Sequence, residues 1–185
     1  MSALFIEAHG ARIPLIGLGT WELRGRTCAR IVEQALRLGY RHIDTAELYD
    51  NEHEVGEGLR AAGVKRDAVF ITTKVWPSHF APRDLERSAQ QSLIRLRLPH
   101  VDLLLLHWPN PQIPLRDTLG ALCKVKRVGL ARHIGVSNFT VALIEEGGEA
   151  CGRAAGLQSD RDAPFHRPVE GDRGLPPARH GDRCL

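Results

Sequence analysis

What the chain lacks already narrows it. No run approaches the ~20 apolar residues needed to cross a bilayer. The longest apolar stretch, Val101 to Trp108, is broken by Asp102 and His107. A secretory leader is not expected, because Met1 to Ala8 has no basic start and Glu7 stands where an apolar core would continue. The cysteines Cys28, Cys123, Cys151 and Cys184 form no CxxC pair and are too sparse for a disulfide scaffold. They are read as reduced thiols, which points to a cytoplasmic protein, and no metal site is read. The formal net charge is only +3 and the arginines are scattered rather than striped. Neither nucleic acid nor a membrane is therefore an expected partner.

What is present is a strong alternation. The 185 residues, 43% of them hydrophobic, suffice for an ordinary core. From Ile13 to about Glu146, short runs of Ile, Val, Leu and Thr recur: Leu15–Leu18, His42–Ala46, Val69–Val75, Val101–Trp108 and Ala131–Asn138. Their nearly continuous apolar character suits parallel strands buried on both faces. Helical patterns lie between them. Ile31, Ala35 and Leu38 share one face of Thr27–Leu38, with Gly39 as a stop. Asn51 and Glu54 have capping-box spacing ahead of a helix that ends near Gly63. Leu85, Ala89, Leu93 and Leu96 predict a third helix; Leu115, Leu119, Leu122 and Val125 predict a fourth. Strand and helix thus alternate about every thirty residues, the pattern of repeated βαβ units in an α/β fold. Phe5–Ile13, with His9 and Gly10 at its centre, reads as a small opening hairpin.

Four polar residues fall at or just past strand ends: Asp44, Tyr49, Lys74 and His107. In parallel α/β architectures that edge is where ligands bind. Lys74 closes an otherwise apolar strand and needs either solvent or an acid, since an unpaired buried ammonium is costly. Asp44, at the equivalent end of the preceding strand, is the candidate partner. A phenol beside an ammonium becomes a better proton donor, which makes Tyr49 a candidate acid. His107 follows four leucines and precedes Trp108-Pro109, so its ring would project into an aromatic-lined site. Singly, each residue could be a satisfied structural group; four converging on one edge favour a site.

The segments HIDTAELYDNE, ITTKVW, LLLLHWP and RHIGVSNF, preceded by IPLIGLGTW, together resemble the aldo/keto reductase family, and within it the small bacterial 2,5-diketo-D-gluconate reductase type. The resemblance covers roughly Ile13 to Glu146. It implies a (β/α)8 barrel of the TIM type that binds NADPH across its C-terminal face, consistent with the absence of any GxGxxG. It implies reduction of a small aldehyde or ketone, with Tyr49 as general acid, Lys74 and Asp44 supporting it, and His107 orienting the carbonyl. Ser137 and Asn138 would hold the nicotinamide carboxamide, with Thr20 and Asp44 near the cofactor. Trp21, Trp76 and Trp108 would wall the substrate pocket, although packing alone could also explain tryptophans there. The full-length form would be a monomer.

The chain also departs from the family. A complete barrel needs ~250 residues and eight strands, and five strands are visible. The family's later glutamine, stacking aromatic and 2′-phosphate loop have no counterpart in Gly147–Leu185. That segment holds seven Gly, four Pro and six Arg in 39 residues, with only five Val, Ile, Leu, Met or Phe, and has no sustained period. Two domains are therefore expected: 1–146, an incomplete barrel, and 147–185, a tail of other origin. With permitted codons and the frame moved by one nucleotide, Gly147–Ser159 re-reads as AVKLAAEPLACNQ and Asp160–Pro168 as IEMHPFIDQ. Val169–Leu185 becomes SKVIAACRQHGMAIVAY. That reading restores periodicity and resembles the family's next units, so the tail is expected to be a frameshift product and this chain impaired or inactive. The alternative function is a catalytically silent, cofactor-binding or regulatory module.

Overall fold

The computed structural model describes residues 4–151. Strands β1 (Phe5–Ala8) and β2 (Ala11–Pro14) pair antiparallel around His9 and Gly10, the hairpin expected there. Five βα units follow: β3 (Leu18–Gly19), α1 (Gly25–Arg37), β4 (His42–Asp44), α2 (Glu52–Ala62), β5 (Phe70–Val75), α3 (Pro82–Leu96), β6 (Val101–Leu106), α4 (Leu115–Arg127), β7 (Ala131–Val136) and α5 (Val141–Cys151). Strands β3 to β7 form one parallel sheet in sequential order, as the alternation of periods required. The expectation for residues 147–185 lies outside the described residues, apart from Gly147–Cys151, which continue α5. Among the described residues no helix is long and apolar enough to cross a membrane.

The strands end earlier than their apolar runs. β4 stops at Asp44, β6 at Leu106 and β7 at Val136. Past each end the chain still makes one ladder-like bond as it leaves the sheet. Thr45 N–H donates to Thr72 O at 2.9 Å, His107 N–H to Val75 O at 3.0 Å, and Ser137 N–H to Leu106 O at 2.8 Å. The first residues of each loop are therefore held at the sheet edge.

β5 and β6 are buried along their whole length, and each leucine so buried contributes ~1.5–3 kcal/mol. On the helix side Leu104 and Leu106 join Leu36, Val55, Leu85 and Leu122. On the other side Leu103, Leu105 and Phe70 meet Ala11 and Ile13 of the hairpin, which covers part of the inner face of the sheet.

The predicted faces of α3 and α4 are the buried ones. In α1 the buried stripe is instead Cys28, Val32, Ala35 and Leu36, and Leu38 is 82% exposed. The helix ends at Arg37, so Leu38 sits on the turn that Gly39 completes at φ 102°. The stripe faces α2, where Gly58 permits close approach: a Cβ there would lie 2.5 Å from Ala29 O and 2.7 Å from Val32 Cβ. Asn51 does precede α2, but its side chain makes no cap bond, because its amide is engaged by the loop after β3.

At the N-terminal edge of the sheet, buried Asp102 joins three segments. Its Oδ2 accepts from Arg66 Nη2 at 2.6 Å and from the Ile71 amide at 2.8 Å, and its Oδ1 accepts from Arg132 Nη1 at 3.2 Å. Replacing it with alanine strands the buried Ile71 amide and removes the carboxylate that pairs with Arg66 and Arg132. We expect Asp102→Ala to cost about 2–4 kcal/mol, read as a lower urea midpoint at unchanged slope. A midpoint equal to that of the parent chain would show that the network contributes nothing.

Candidate active site

The parallel register decides which side chains meet. Asp44 pairs with Thr72, and Lys74 with Leu105, so the C-terminal ends of β4, β5 and β6 open on one edge. There the ammonium of Lys74, almost wholly buried, finds an acceptor for each of its three protons. Nζ donates to Asp44 Oδ1 at 2.5 Å, to Thr45 O at 3.0 Å and to Tyr49 Oη at 3.4 Å. The ion pair expected between neighbouring strand ends is formed, and the phenol is its third partner.

Tyr49 sits on a single 3₁₀ turn, Glu47–Tyr49, between β4 and α2. Its ring packs edge-on against Trp21 (centroids 4.8 Å apart) and His107 (5.7 Å); Trp76 also packs edge-on against His107 at 5.4 Å. Burial, reinforced by the Lys74 ammonium and opposed by Asp44, pushes the His107 imidazole down to about 4. The ring is therefore neutral near pH 7. Its Nδ1 is buried and has no hydrogen-bond partner among the described residues.

Ser137 and Asn138 follow β7 on the same edge. Asn138, in the left-handed region at φ 63°, donates from Nδ2 to His107 O at 2.8 Å and to Ser137 Oγ at 3.0 Å. A cavity of about 470 Å³ is lined by Asp44, Tyr49, Lys74, His107, Ser137 and Asn138. Of the remaining expected residues, Trp21 and Trp76 reach the Tyr49 and His107 rings, whereas Trp108 is 48% exposed and Trp21 53%. Thr20 is buried, its hydroxyl turned to the Asp44 carbonyl at 3.1 Å. The arrangement offers a proton donor, a neutral imidazole and a fixed cation around one cavity.

Three residues that hold Tyr49 in place were not found from the sequence. The Glu47 carboxylate accepts from the Trp76 amide at 3.1 Å and Ser88 Oγ at 2.9 Å, and lies 2.8 Å from His79 Nδ1. Arg24 Nη1 donates to the Tyr49 carbonyl at 2.5 Å. Asn51 closes the other end of the turn. Their partners lie 25 to 41 residues away, apart from Thr45 of Asn51, so no local pattern marks them.

The model of the aldo/keto reductase family matches residues 15–154. A methylglyoxal reductase DkgB of Yersinia pestis is 42% identical over 142 residues, covering 76% of this chain and 53% of that protein. An aldo-keto reductase family 1 member A1-A of Danio rerio is 38% identical over 170 residues, covering 79% and 52%. Among solved structures, one described as a candidate 2,5-diketo-D-gluconic acid reductase B superposes with a TM-score of 0.78 at 44% identity, covering 80% of this chain and 53% of that one. The Bombyx mori aldo-keto reductase in complex with NADP gives 0.74 at 34% identity, covering 79% and 54%. The chain spans about half the length of the curated relatives it matches. Its five-stranded parallel sheet is part of a TIM-type barrel. With the motifs, the strand order and the family match in agreement over the same residues, the chain belongs to the aldo/keto reductase family.

Proposed function

We propose that the protein this chain represents is an NADPH-dependent oxidoreductase that reduces a small aldehyde or ketone to the alcohol. The observation that carries this reading is the Lys74 ammonium held between Asp44 and the Tyr49 hydroxyl, with neutral His107 facing the same cavity. The cavity fits the reactive end of a nicotinamide cofactor. It has room for a planar ring and a small carbonyl, it carries hydroxyl and amide groups at Ser137 and Asn138, and buried His107 Nδ1 lacks a partner among the described residues. Ser137 and Asn138 would hold the carboxamide, with Thr20 and Asp44 supporting the same end. A bound reduced nicotinamide would supply the hydride.

The chain's own groups handle the proton. Tyr49 Oη gives its proton to the carbonyl oxygen, and Lys74, 3.4 Å away, stabilises the phenolate left behind. Asp44 keeps Lys74 charged and oriented. Neutral His107 donates one hydrogen bond that aligns the carbonyl. Trp21 and Trp76, packed on the Tyr49 and His107 rings, would with Trp108 wall the substrate side of the site. Relatives named methylglyoxal reductase make a 2-oxoaldehyde the first substrate to try. The reading includes a reducing, cytoplasmic setting and a monomeric full-length form. Cys28 fits the former as a buried free thiol, pushed up to about 11 by burial first and then by Glu54.

In a chain completed to the length of its relatives, Tyr49→Phe should lower carbonyl reduction by about 10²–10⁴-fold, the usual worth of a general acid. NADPH binding, followed by fluorescence, should stay nearly unchanged. Turnover close to that of the parent would remove Tyr49 from the role of acid.

The His107 midpoint has a definite sign. An unfolded imidazole titrates near ~6.5, and the folded one near about 4. Between those values the unfolded chain binds the extra proton, so this group's contribution to stability falls as pH is lowered through the window and is gone below it. An NMR titration should find the His107 ring neutral from pH 8 down to 5. A midpoint near that of free histidine would contradict its neutral role.

We also propose that the segment from Gly147 is read in a shifted frame and that the 185-residue chain is impaired in cofactor binding. Sequencing the gene decides the first point. Removing one G near codon 147 should open a frame carrying the family's later glutamine and stacking tyrosine; a closed frame there would end the idea.

A further inference from the structure

Asn51 is buried to 1% exposure inside the motif that carries Tyr49. Its side chain does no capping and uses every one of its polar valences elsewhere. Nδ2 donates to Thr20 O at 2.7 Å and to Leu23 O at 3.0 Å. Oδ1 accepts from Thr45 Oγ1 at 2.9 Å and takes the weaker share, at 3.5 Å, of the one Thr20 Oγ1 proton that points chiefly to Asp44 O. The orientation of the amide is unambiguous, because a flip would set its oxygen against two carbonyl oxygens. One small side chain therefore binds the two ends of the Thr20–Leu23 loop to each other and to Thr45, just beyond β4.

That loop carries Trp21, whose ring lies against Tyr49. Other contacts hold it as well: Leu23 N–H donates to Thr20 O at 3.1 Å, Thr20 N–H returns to Asp44 O, Arg24 Nη1 bridges Leu23 O and Tyr49 O, and Leu23 packs on the core. Asn51, however, joins both ends of the loop at once. Glu22 stands at φ 64° and Asp50, next to Asn51, at φ 51°, conformations that non-glycine residues adopt at a cost. Both halves of the contact, the Trp21 loop and the Tyr49 turn, are thus kept in strained backbone by groups outside them.

We propose that Asn51 is the positioning residue that locks the Trp21 loop against the Tyr49 turn, setting the wall of the carbonyl pocket relative to the acid. The proposal rests on the reductase reading for its functional meaning, but its test reads geometry and not turnover. If the chain proves not to be a reductase, the measurement still stands.

The experiment is residue-resolved hydrogen exchange on the full chain, comparing it with Asn51→Asp, which keeps shape and acceptor while removing both donors. Exchange at the Thr20 and Leu23 amides should accelerate by roughly tenfold or more, the effect of losing about one buried hydrogen bond. Exchange at Ile71 and Leu104, in the sheet, should stay unchanged. In a Trp76→Phe, Trp108→Phe background, the near-ultraviolet circular dichroism of the Trp21–Tyr49 pair should be lost with the same substitution and retained without it. Unchanged protection at Leu23, or acceleration spread evenly over the sheet amides, overturns the proposal, the latter by reducing Asn51 to a general fold residue. Should Asn51→Asp not fold, Thr45→Val removes one donor to Oδ1 at constant shape. It should raise exchange at the same two amides to a smaller extent, and uniform or absent acceleration again overturns the idea.

Discussion

An ammonium at the end of an apolar strand must have its three protons accepted, and the acceptors that meet this need define the site. Lys74 reaches Asp44, Thr45 O and Tyr49 Oη, contributed by β4, the residue just beyond it and the turn that follows. Because desolvation of a charge costs several kcal/mol unless it is paired and hydrogen-bonded, the ends of β4 and β5 cannot drift apart without exposing that cost. The same cation also acts on His107, whose neutral state owes more to burial and then to this neighbour. One buried charge thereby fixes the place of the carboxylate and the phenol and reinforces the neutrality that burial imposes on the imidazole.

The two ends of the sheet divide the work. At the N-terminal edge, Asp102, Arg66 and Arg132 tie β5, β6 and β7 together through charged hydrogen bonds. At the C-terminal edge the polar groups surround open volume. This is the usual division in a βα barrel, in which the loops after the strands carry chemistry and the opposite face carries stability. Strands alone do not finish the site, since Tyr49 lies five residues beyond Asp44. Its turn is held from outside by Glu47, Arg24 and Asn51.

Half of a barrel contains a coherent half of the proposed site. The proton-handling groups and the Ser137–Asn138 pair all fall within five consecutive βα units, because each sits at a strand end or in the loop after it. The other cofactor contacts that the family resemblance implies are expected in later units. The proposed division of labour is therefore one in which the reacting end of the cofactor meets these five strands and the remainder of the dinucleotide depends on residues beyond them.

Much of this was legible in the chain itself. The alternation of apolar runs and helical stripes determined the hairpin and the βα units, and the polar residues closing those runs marked Asp44, Lys74 and His107. Such readings succeed because a strand end and a helix face are local properties, repeated every two or roughly three to four residues. The errors were also local in origin. Leu38 fits a helical stripe but lies past the end of the helix, and Asn51 has the spacing of a cap but gives its amide to a distant loop. Only the tertiary structure decided the rest: the Thr45 carbonyl as a further acceptor of Lys74, the neutrality of His107, and the clamps on the Tyr49 turn. Each depends on backbone carbonyls, burial or carboxylates brought together across 25 to 41 residues by the parallel register. A hydrogen bond between segments so far apart leaves no period in either of them, and it exists only once the sheet has aligned the strand ends.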